Sequence, residues 1–133
     1  MKINIGDTYT EEFSFNQNDV EIFSNVTKDK NPLHLDSEYT KNTIFKKPII
    51  HGFLGASIFS RVFGTKFPGE GTIYLKQDLK FLQPMYVGEK YFAYFEITDI
   101  QNKYIFCKTT IKNNKAELLI DGNAKLIHIK DLS

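Results

Sequence analysis

The chain of 133 residues has no tryptophan, a single cysteine, and no apolar run long enough to cross a bilayer. A membrane-spanning helix needs about 20 consecutive apolar residues, so we expect no membrane partner. The lone thiol, Cys107, cannot form an intramolecular disulfide and has no partner at metal-ligand spacing. We therefore expect a reducing compartment, the cytoplasm, and no bound metal.

Neither sign of charge is in excess. The 17 basic and 16 acidic residues give a formal net charge of +1. Nucleic acids are bound by basic patches, and because no such patch is present we expect no nucleic-acid partner. Arg61 is the only arginine, so a phosphate-bearing ligand would be met by lysines as point charges. The length fits one domain, which we place at residues 1–133.

The apolar pattern divides the chain into a helical first half and a strand-rich second half. The predicted helices lie at 19–26, with Asp19 as the cap, at 36–41 and at 52–63. The predicted strands lie at 8–15, 73–81, 90–100, 104–112 and 116–129, the last as one bent strand or two. Residues 52–63 are apolar on nearly all sides, which predicts a buried helix.

These elements predict an α+β fold in which one long helix packs against a bent antiparallel sheet. Such a sheet covers only one face of the helix, and its edge strands need partners. Both features favour a homodimer.

The most informative stretch is Asp29-Lys30-Asn31-Pro32-Leu33-His34. Pro32 lacks a backbone N–H and disfavours the helical conformation of Asn31, so we expect a short polar loop rather than a regular helix. Such a loop can aim Asp29 and His34 at one point, where a carboxylate and an imidazole hold and deprotonate a water molecule. The alternative is that Asp29 caps a turn and His34 bonds a backbone carbonyl.

Three segments resemble the MaoC-like (R)-specific enoyl-CoA hydratases, a family with the hotdog fold. They are residues 23–36, which include the hydratase motif, and residues 45–54 and 81–89. The resemblance implies a hydro-lyase that reversibly hydrates trans-2-enoyl-CoA to (R)-3-hydroxyacyl-CoA without a cofactor.

The resemblance also implies roles for particular residues. Asp29 and His34 match the catalytic pair, in which Asp29 accepts a proton from water and His34 orients the water and helps deliver a proton to C2. Gly52 matches the glycine whose N–H contacts the thioester carbonyl. Asn31 matches the residue that orders the loop. The family commonly has glycine before the catalytic Asp, whereas this chain has Lys28, which we expect to point to solvent.

Three further residues are candidates for substrate binding or its support. His51 is expected to bond or pack against the loop of the active site. Ser60 and Phe63 fall where the family lines its acyl pocket, and the bulk of Phe63 favours short acyl chains.

Other activities remain open at this point. The same residues serve a (3R)-hydroxyacyl-[acyl-carrier-protein] dehydratase, so the thioester partner is either acyl-CoA or an acyl carrier protein. A non-catalytic acyl-thioester-binding module of the same fold is a different class, as is a thioesterase. Retention of both Asp29 and His34 disfavours the binding module, since a binder has no need for an acid–base pair.

Overall fold

The computed structural model describes residues 2–132. The helices are α1 (Gln17–Thr27), α2 (Pro32–Leu35), α3 (Ser37–Thr40) and α4 (Gly52–Thr65), and a 3₁₀ turn spans Ile129–Leu132. The strands are β1 (Thr8–Phe13), β2 (Thr72–Gln77), β3 (Lys80–Phe81), β4 (Tyr91–Gln101), β5 (Tyr104–Asn113) and β6 (Leu118–His128). All strand pairs are antiparallel, in the order β1-β4-β5-β6-β2, and β3 pairs with a separate part of β6.

The cap of helix α1 lies three residues before the predicted one. The Asn16 side chain accepts a hydrogen bond from the Asp19 N–H at 2.8 Å, and the Asp19 carboxylate accepts one from the Asn16 N–H at 2.9 Å. This reciprocal pair satisfies two donors that a helix start leaves free. The prediction of Asp19 as the cap was therefore wrong, because Asn16 is the cap and Asp19 is the third helical residue.

Helix α4 supplies the centre of the core. Phe59 and Phe63 both meet Phe95 of β4 edge to face, with ring centroids 5.7 and 5.3 Å apart. Such aromatic pairs add to the stabilisation from burial alone. The buried helix predicted at 52–63 is confirmed, except that one face remains bare. The exposed residues of that face are Phe53, Ser57, Ser60 and Arg61.

The second half of the chain follows the predicted strands with two changes. The strands predicted at 90–100 and 104–112 are confirmed as a hairpin, since Gln101 pairs with Tyr104 across a two-residue connection. Residues 118–128 form one continuous strand rather than two. The strand expected at 73–81 is divided at Asp78, whose N–H donates to the Asn123 carbonyl and whose carboxylate accepts from the Asn123 N–H. Within residues 2–132, no helix combines the length and apolarity needed to cross a bilayer.

Candidate active site

Asp29 lies just after α1, where the chain turns sharply. Lys28 ends the helix in the left-handed conformation, with φ 66° and ψ 11°. The Thr27 hydroxyl donates to the Phe23 carbonyl at 2.8 Å and accepts from the Asp29 N–H at 3.2 Å. The turn is thus held by side-chain bonds and leaves Asp29 exposed. Lys28 is exposed as well, as expected.

The segment after Asp29 is not the plain loop that was predicted. Residues Pro32–Leu35 form one helical turn, α2, with Asn31 as its cap. The Asn31 side chain accepts from the Leu33 N–H at 3.1 Å, and Pro32 occupies the first helical position, where its missing N–H costs nothing. The prediction that this stretch excludes helix was therefore wrong. The turn fixes the direction of the His34 side chain.

His34 is anchored by one ring nitrogen. Its Nδ1 lies 2.8 Å from the Ile49 carbonyl, and the residue is 9% exposed. A carbonyl oxygen can only accept, so Nδ1 carries the proton and the neutral ring has its lone pair on Nε2. His34 is therefore set up to act as an acceptor at Nε2.

The carboxylate and the imidazole do converge. Asp29, His34 and His51 each place a nitrogen or oxygen atom within 4.8 Å of one another. One water molecule that bonds two groups at about 2.8 Å fits between acceptors at this separation. The Asp29 carboxylate also accepts from the Asn31 N–H at 3.4 Å, which ties it to the cap of α2.

His51 lies beneath this pair, at the cap of α4, and is 2% exposed. Its ring stacks on that of His34 with centroids 3.8 Å apart. Its Nε2 is 3.0 Å from the Ser24 hydroxyl and 3.3 Å from the backbone carbonyl of Asp29. Burial lowers the pKa of His51 below its usual value, and the neighbouring His34 acts in the same direction.

Gly52 begins α4, so its N–H lies at the positive end of a 14-residue helix. It borders an open cavity of about 450 Å³, whose lining includes Ile49, Phe53, Phe81 and Met85. A Cβ at position 52 would lie 2.7 Å from the ring of Phe81. The absence of a side chain therefore allows close approach at this point.

Ser60 and Phe63 are not part of this cluster. They lie about 12 and 16 Å further along the helix than Gly52. Ser60 is on the exposed face. Phe63 is 1% exposed and packs edge to face on Tyr74, which lines a second cavity of about 320 Å³ together with Phe53 and Ser57.

The sequence pattern of the protein family described as "MaoC like domain" matches residues 3–118 of this chain. This protein belongs to the MaoC-like family. An (R)-specific enoyl-CoA hydratase from Aeromonas caviae is 40% identical over 112 residues, which cover 83% of this chain and 84% of that protein. A mitochondrial 3-hydroxyacyl-[acyl-carrier-protein] dehydratase from Arabidopsis thaliana is 32% identical over 130 residues, which cover 94% and 77%.

Solved structures agree with the sequence relatives. The (R)-hydratase from A. caviae involved in PHA biosynthesis superposes with a TM-score of 0.91 at 34% identity, covering 95% of this chain and 97% of that one. The predicted family and the α+β hotdog fold are confirmed. The predicted hydro-lyase class is supported, since both sequence relatives are named as hydratase or dehydratase.

The side chains of Asp29, His34 and His51 in this MaoC-like domain are of types that also bind metal ions. The two imidazole rings are stacked at an interplanar angle of 27°. A nitrogen lone pair lies in the plane of its ring, so two stacked rings direct their lone pairs along nearly parallel planes and not at one ion. His34 also has one nitrogen committed to the Ile49 carbonyl. The arrangement therefore fits a bound water better than an ion.

The sequence did not predict three features of this MaoC-like site. They are the Ser24 hydroxyl, the Ile49 carbonyl and the Phe81 ring. Ser24 carried a signal, because it lies four residues after Val20 on the buried face of α1, where a polar side chain needs a partner. A backbone carbonyl and a long-range ring contact leave no such mark in a sequence.

Proposed function

We propose that this protein adds water reversibly to trans-2-enoyl-CoA to give (R)-3-hydroxyacyl-CoA. The observation that carries this proposal is the convergence of Asp29 and His34, with their polar atoms within 4.8 Å. The Nδ1 of His34 is fixed on the Ile49 carbonyl at 2.8 Å, so its Nε2 accepts a hydrogen from the same water. Two acceptors on one water molecule raise the electron density on its oxygen.

In this mechanism the water oxygen bonds to C3 as Asp29 takes one of its protons. The electron pair of the double bond moves to the thioester oxygen, which the Gly52 N–H at the helix start stabilises. The carboxyl group of Asp29 then returns the proton to C2, and the carboxylate is restored. His34 holds the second hydrogen of the water. In its neutral form Nε2 cannot donate, so the geometry favours the orienting role of His34 over proton delivery.

A dehydratase acting on (3R)-hydroxyacyl groups of an acyl carrier protein is the second candidate. It is supported by the plant mitochondrial relative, which aligns with 94% of this chain. The chemistry at Asp29 and His34 would be the same, run in the direction of water loss. Only the group bound at the entrance would differ.

The bare face of α4 supports a homodimer. Phe53 on this face is 68% exposed, and Phe81 and Leu82 beside the same cavity are 47% and 50% exposed. An exposed apolar patch of this kind commonly marks an interface between proteins. Light scattering after gel filtration should give twice the mass of one chain, and the mass of a single chain would refute the dimer.

We retain the cytoplasm as the proposed compartment, since Cys107 is a buried thiol that forms no disulfide.

Ser60 and Phe63 remain the residues that we propose to determine the preferred length of the acyl chain. Phe63 supports Tyr74, whose ring lines the second cavity, so its bulk sets the depth of that cavity indirectly. Replacement of Phe63 by alanine should shift the preference toward longer chains. It should also cost about 3–5 kcal/mol of stability, so initial rates need correction for the folded fraction. An unchanged chain-length profile would remove Phe63 from this role.

The proposed function is tested by the loss of enoyl absorbance when purified protein is mixed with crotonyl-CoA. Asp29→Asn and His34→Ala should each lower the rate by about 10²–10⁴-fold, the usual contribution of general acid–base catalysis. Activity on crotonyl carrier protein but not on crotonyl-CoA would favour the second candidate. Inactivity on both substrates, or near wild-type turnover of Asp29→Asn, would refute the proposal.

A further inference from the structure

His51 contacts the proposed catalytic pair, and its Nε2 is already engaged by the Ser24 hydroxyl and the Asp29 backbone carbonyl. It lies under His34, with the two rings stacked at 3.8 Å, and its other neighbours include the ring of Phe23 at 4.8 Å between centroids. At 2% exposure, His51 is deeper than His34 at 9%. A ring in this position can control where His34 sits.

The bonds of His51 define where its proton is. Nε2 lies 3.3 Å from the Asp29 carbonyl, which only accepts, so Nε2 must carry a hydrogen. The same nitrogen is 3.0 Å from the Ser24 hydroxyl oxygen, which can accept as well as donate. Nδ1 is buried and has no hydrogen-bond partner among the residues described. A second proton there would create a buried cation with an unpaired donor.

The electrostatic surroundings agree with these bonds. Burial lowers the pKa of His51, and a charge on His34 would lower it further, while the Asp29 carbonyl and carboxylate act in the opposite direction. The net effect lowers the pKa of His51, which favours the neutral form of its ring.

We infer that Ser24 and His51 are positioning residues for the proposed hydration: Ser24 holds His51 as the neutral Nε2–H form, and His51 holds the Asp29 backbone and the plane of His34. This inference rests on the proposed function for its effect on rate. The placement of the proton is independent of any activity. Because the side chain of Asp29 is exposed, a bond to its backbone is a direct way to fix its position.

The first test reads the proton directly. The chain has only three histidines, so ¹⁵N NMR of histidine-labelled protein resolves each ring, with single variants for assignment. His51 should stay in the neutral Nε2–H form while pH is lowered to the onset of unfolding. His128 is an internal reference for the same form, since its Nε2 lies 2.8 Å from the Glu70 carbonyl and its Nδ1 accepts from the Lys130 N–H. A charged His51, or a proton on Nδ1, would overturn the inference.

The second test separates the hydrogen bond from the stacking. His51→Phe keeps a ring and loses the donor, whereas His51→Gln keeps an N–H able to reach the Asp29 carbonyl. We expect kcat to fall on the order of 100-fold in His51→Phe with KM unchanged, because the catalytic groups move while substrate contacts remain. His51→Gln should recover part of this loss, and Ser24→Ala should show a smaller fall in kcat.

His128→Gln is the matched control, since it alters an equally buried histidine outside the site and should leave kcat per folded molecule unchanged. Wild-type kcat in folded His51→Phe would overturn the inference. Loss of a pH limb of kcat/KM in His51→Gln would do so too, because His51 would then be the titrating base itself. If the wild-type protein hydrates neither thioester, the proposed function fails, and the NMR experiment still decides the state of His51.

Discussion

His51 and His128 are equally buried, at 2% and 3% exposure, but they lie in different regions and are bonded differently. His128, at the end of β6, bonds the backbone with both ring nitrogens, at Glu70 and at Lys130. His51, at the start of α4, bonds the Ser24 side chain and the carbonyl next to an exposed carboxylate.

The difference separates a histidine whose bonds close the fold from one for which we infer a positioning role in the site. The ring of His128 joins the end of β6 to the segment before β2, and both of its nitrogens are satisfied in the neutral form. The ring of His51 has one nitrogen without a partner among the described residues and stacks on a second imidazole. Burial alone does not distinguish the two roles, whereas the bonds do.

The largest effect should come from adding a side chain to Gly52 at the start of α4, which should lower kcat/KM. Gly52→Ala leaves the N–H in place but adds a methyl group at the proposed point of contact with the thioester oxygen. We expect a fall in kcat/KM on the order of 10²-fold, comparable to the loss of one oxyanion donor. The measurement is the initial rate of hydration of crotonyl-CoA.

The added methyl would also lie 2.7 Å from the Phe81 ring, so a matched double variant is needed. The Gly52→Ala, Phe81→Ala pair removes the ring that the added methyl group would meet. If the double variant regains wild-type activity, displacement of Phe81 explains the loss and Gly52 has no direct role. A loss in the double variant that exceeds the loss in Phe81→Ala alone supports direct contact of Gly52 with the substrate.

The second largest effect should come from a substitution beside His128, which should change the free energy of unfolding but not the rate of hydration. Gly71 has φ +95°, and a Cβ there would lie 2.8 Å from the His128 ring. Gly71→Ala should lower the free energy of unfolding by about 1–3 kcal/mol through backbone strain, to which the ring contact adds. Urea denaturation measures this change, and hydration rates per folded molecule should stay unchanged.

Gly64→Ala is the matched control for Gly71→Ala. Gly64 lies inside α4, and a Cβ there would meet nothing within 4 Å. Alanine at this position should stabilise the protein by roughly 0.5–1 kcal/mol, because it restricts the unfolded chain and favours helix. Equal effects of the two substitutions would refute the account given for Gly71.

The comparison also shows which features a sequence can predict. The apolar run at 52–63 and the alternating strands predicted α4 and most of the sheet, since these patterns repeat over many residues. The convergence of Asp29 and His34 was predicted because the two residues lie five positions apart in one motif. All the residues that form such a pattern lie close together in the sequence, so the pattern can be recognised without the structure.

The features that were missed depend on residues distant in the chain. The break between β2 and β3 is held by Asp78 and Asn123, 45 positions apart. The bond between Ser24 and His51 spans 27 positions. The helical turn at α2 was missed for a different reason: Pro32 was taken as a helix breaker, although the first position of a helix accepts proline well.

A smaller effect should appear in the pH dependence of stability. His51 has a pKa near 6.5 when unfolded and a lower pKa when folded, because burial disfavours its charge. The unfolded state therefore binds more protons below about pH 6.5, and the free energy of unfolding should fall there by at most about 1.4 kcal/mol per pH unit. Above this pH the contribution is complete.

Urea denaturation between about pH 5 and pH 8 measures this slope. His51→Gln should flatten it, whereas His128→Gln keeps His51 and should keep the dependence that His51 causes. A slope that is the same in wild type and in His51→Gln would show that His51 is not the group that takes up the proton on unfolding.

The smallest effect should come from the turn that carries Asp29. Lys28 has a left-handed backbone conformation, which costs a non-glycine residue roughly 1–2 kcal/mol. Gly71, which contacts His128, also has a positive φ but avoids this cost because it is glycine. Lys28→Gly removes this strain but gives the unfolded chain more freedom, worth about 0.5–1 kcal/mol in the opposite direction. We expect a net gain in stability below about 1 kcal/mol in urea denaturation. Because the Thr27 hydroxyl still holds the Asp29 N–H, kcat should change little, and a large fall in kcat would mean that the lysine charge acts on Asp29.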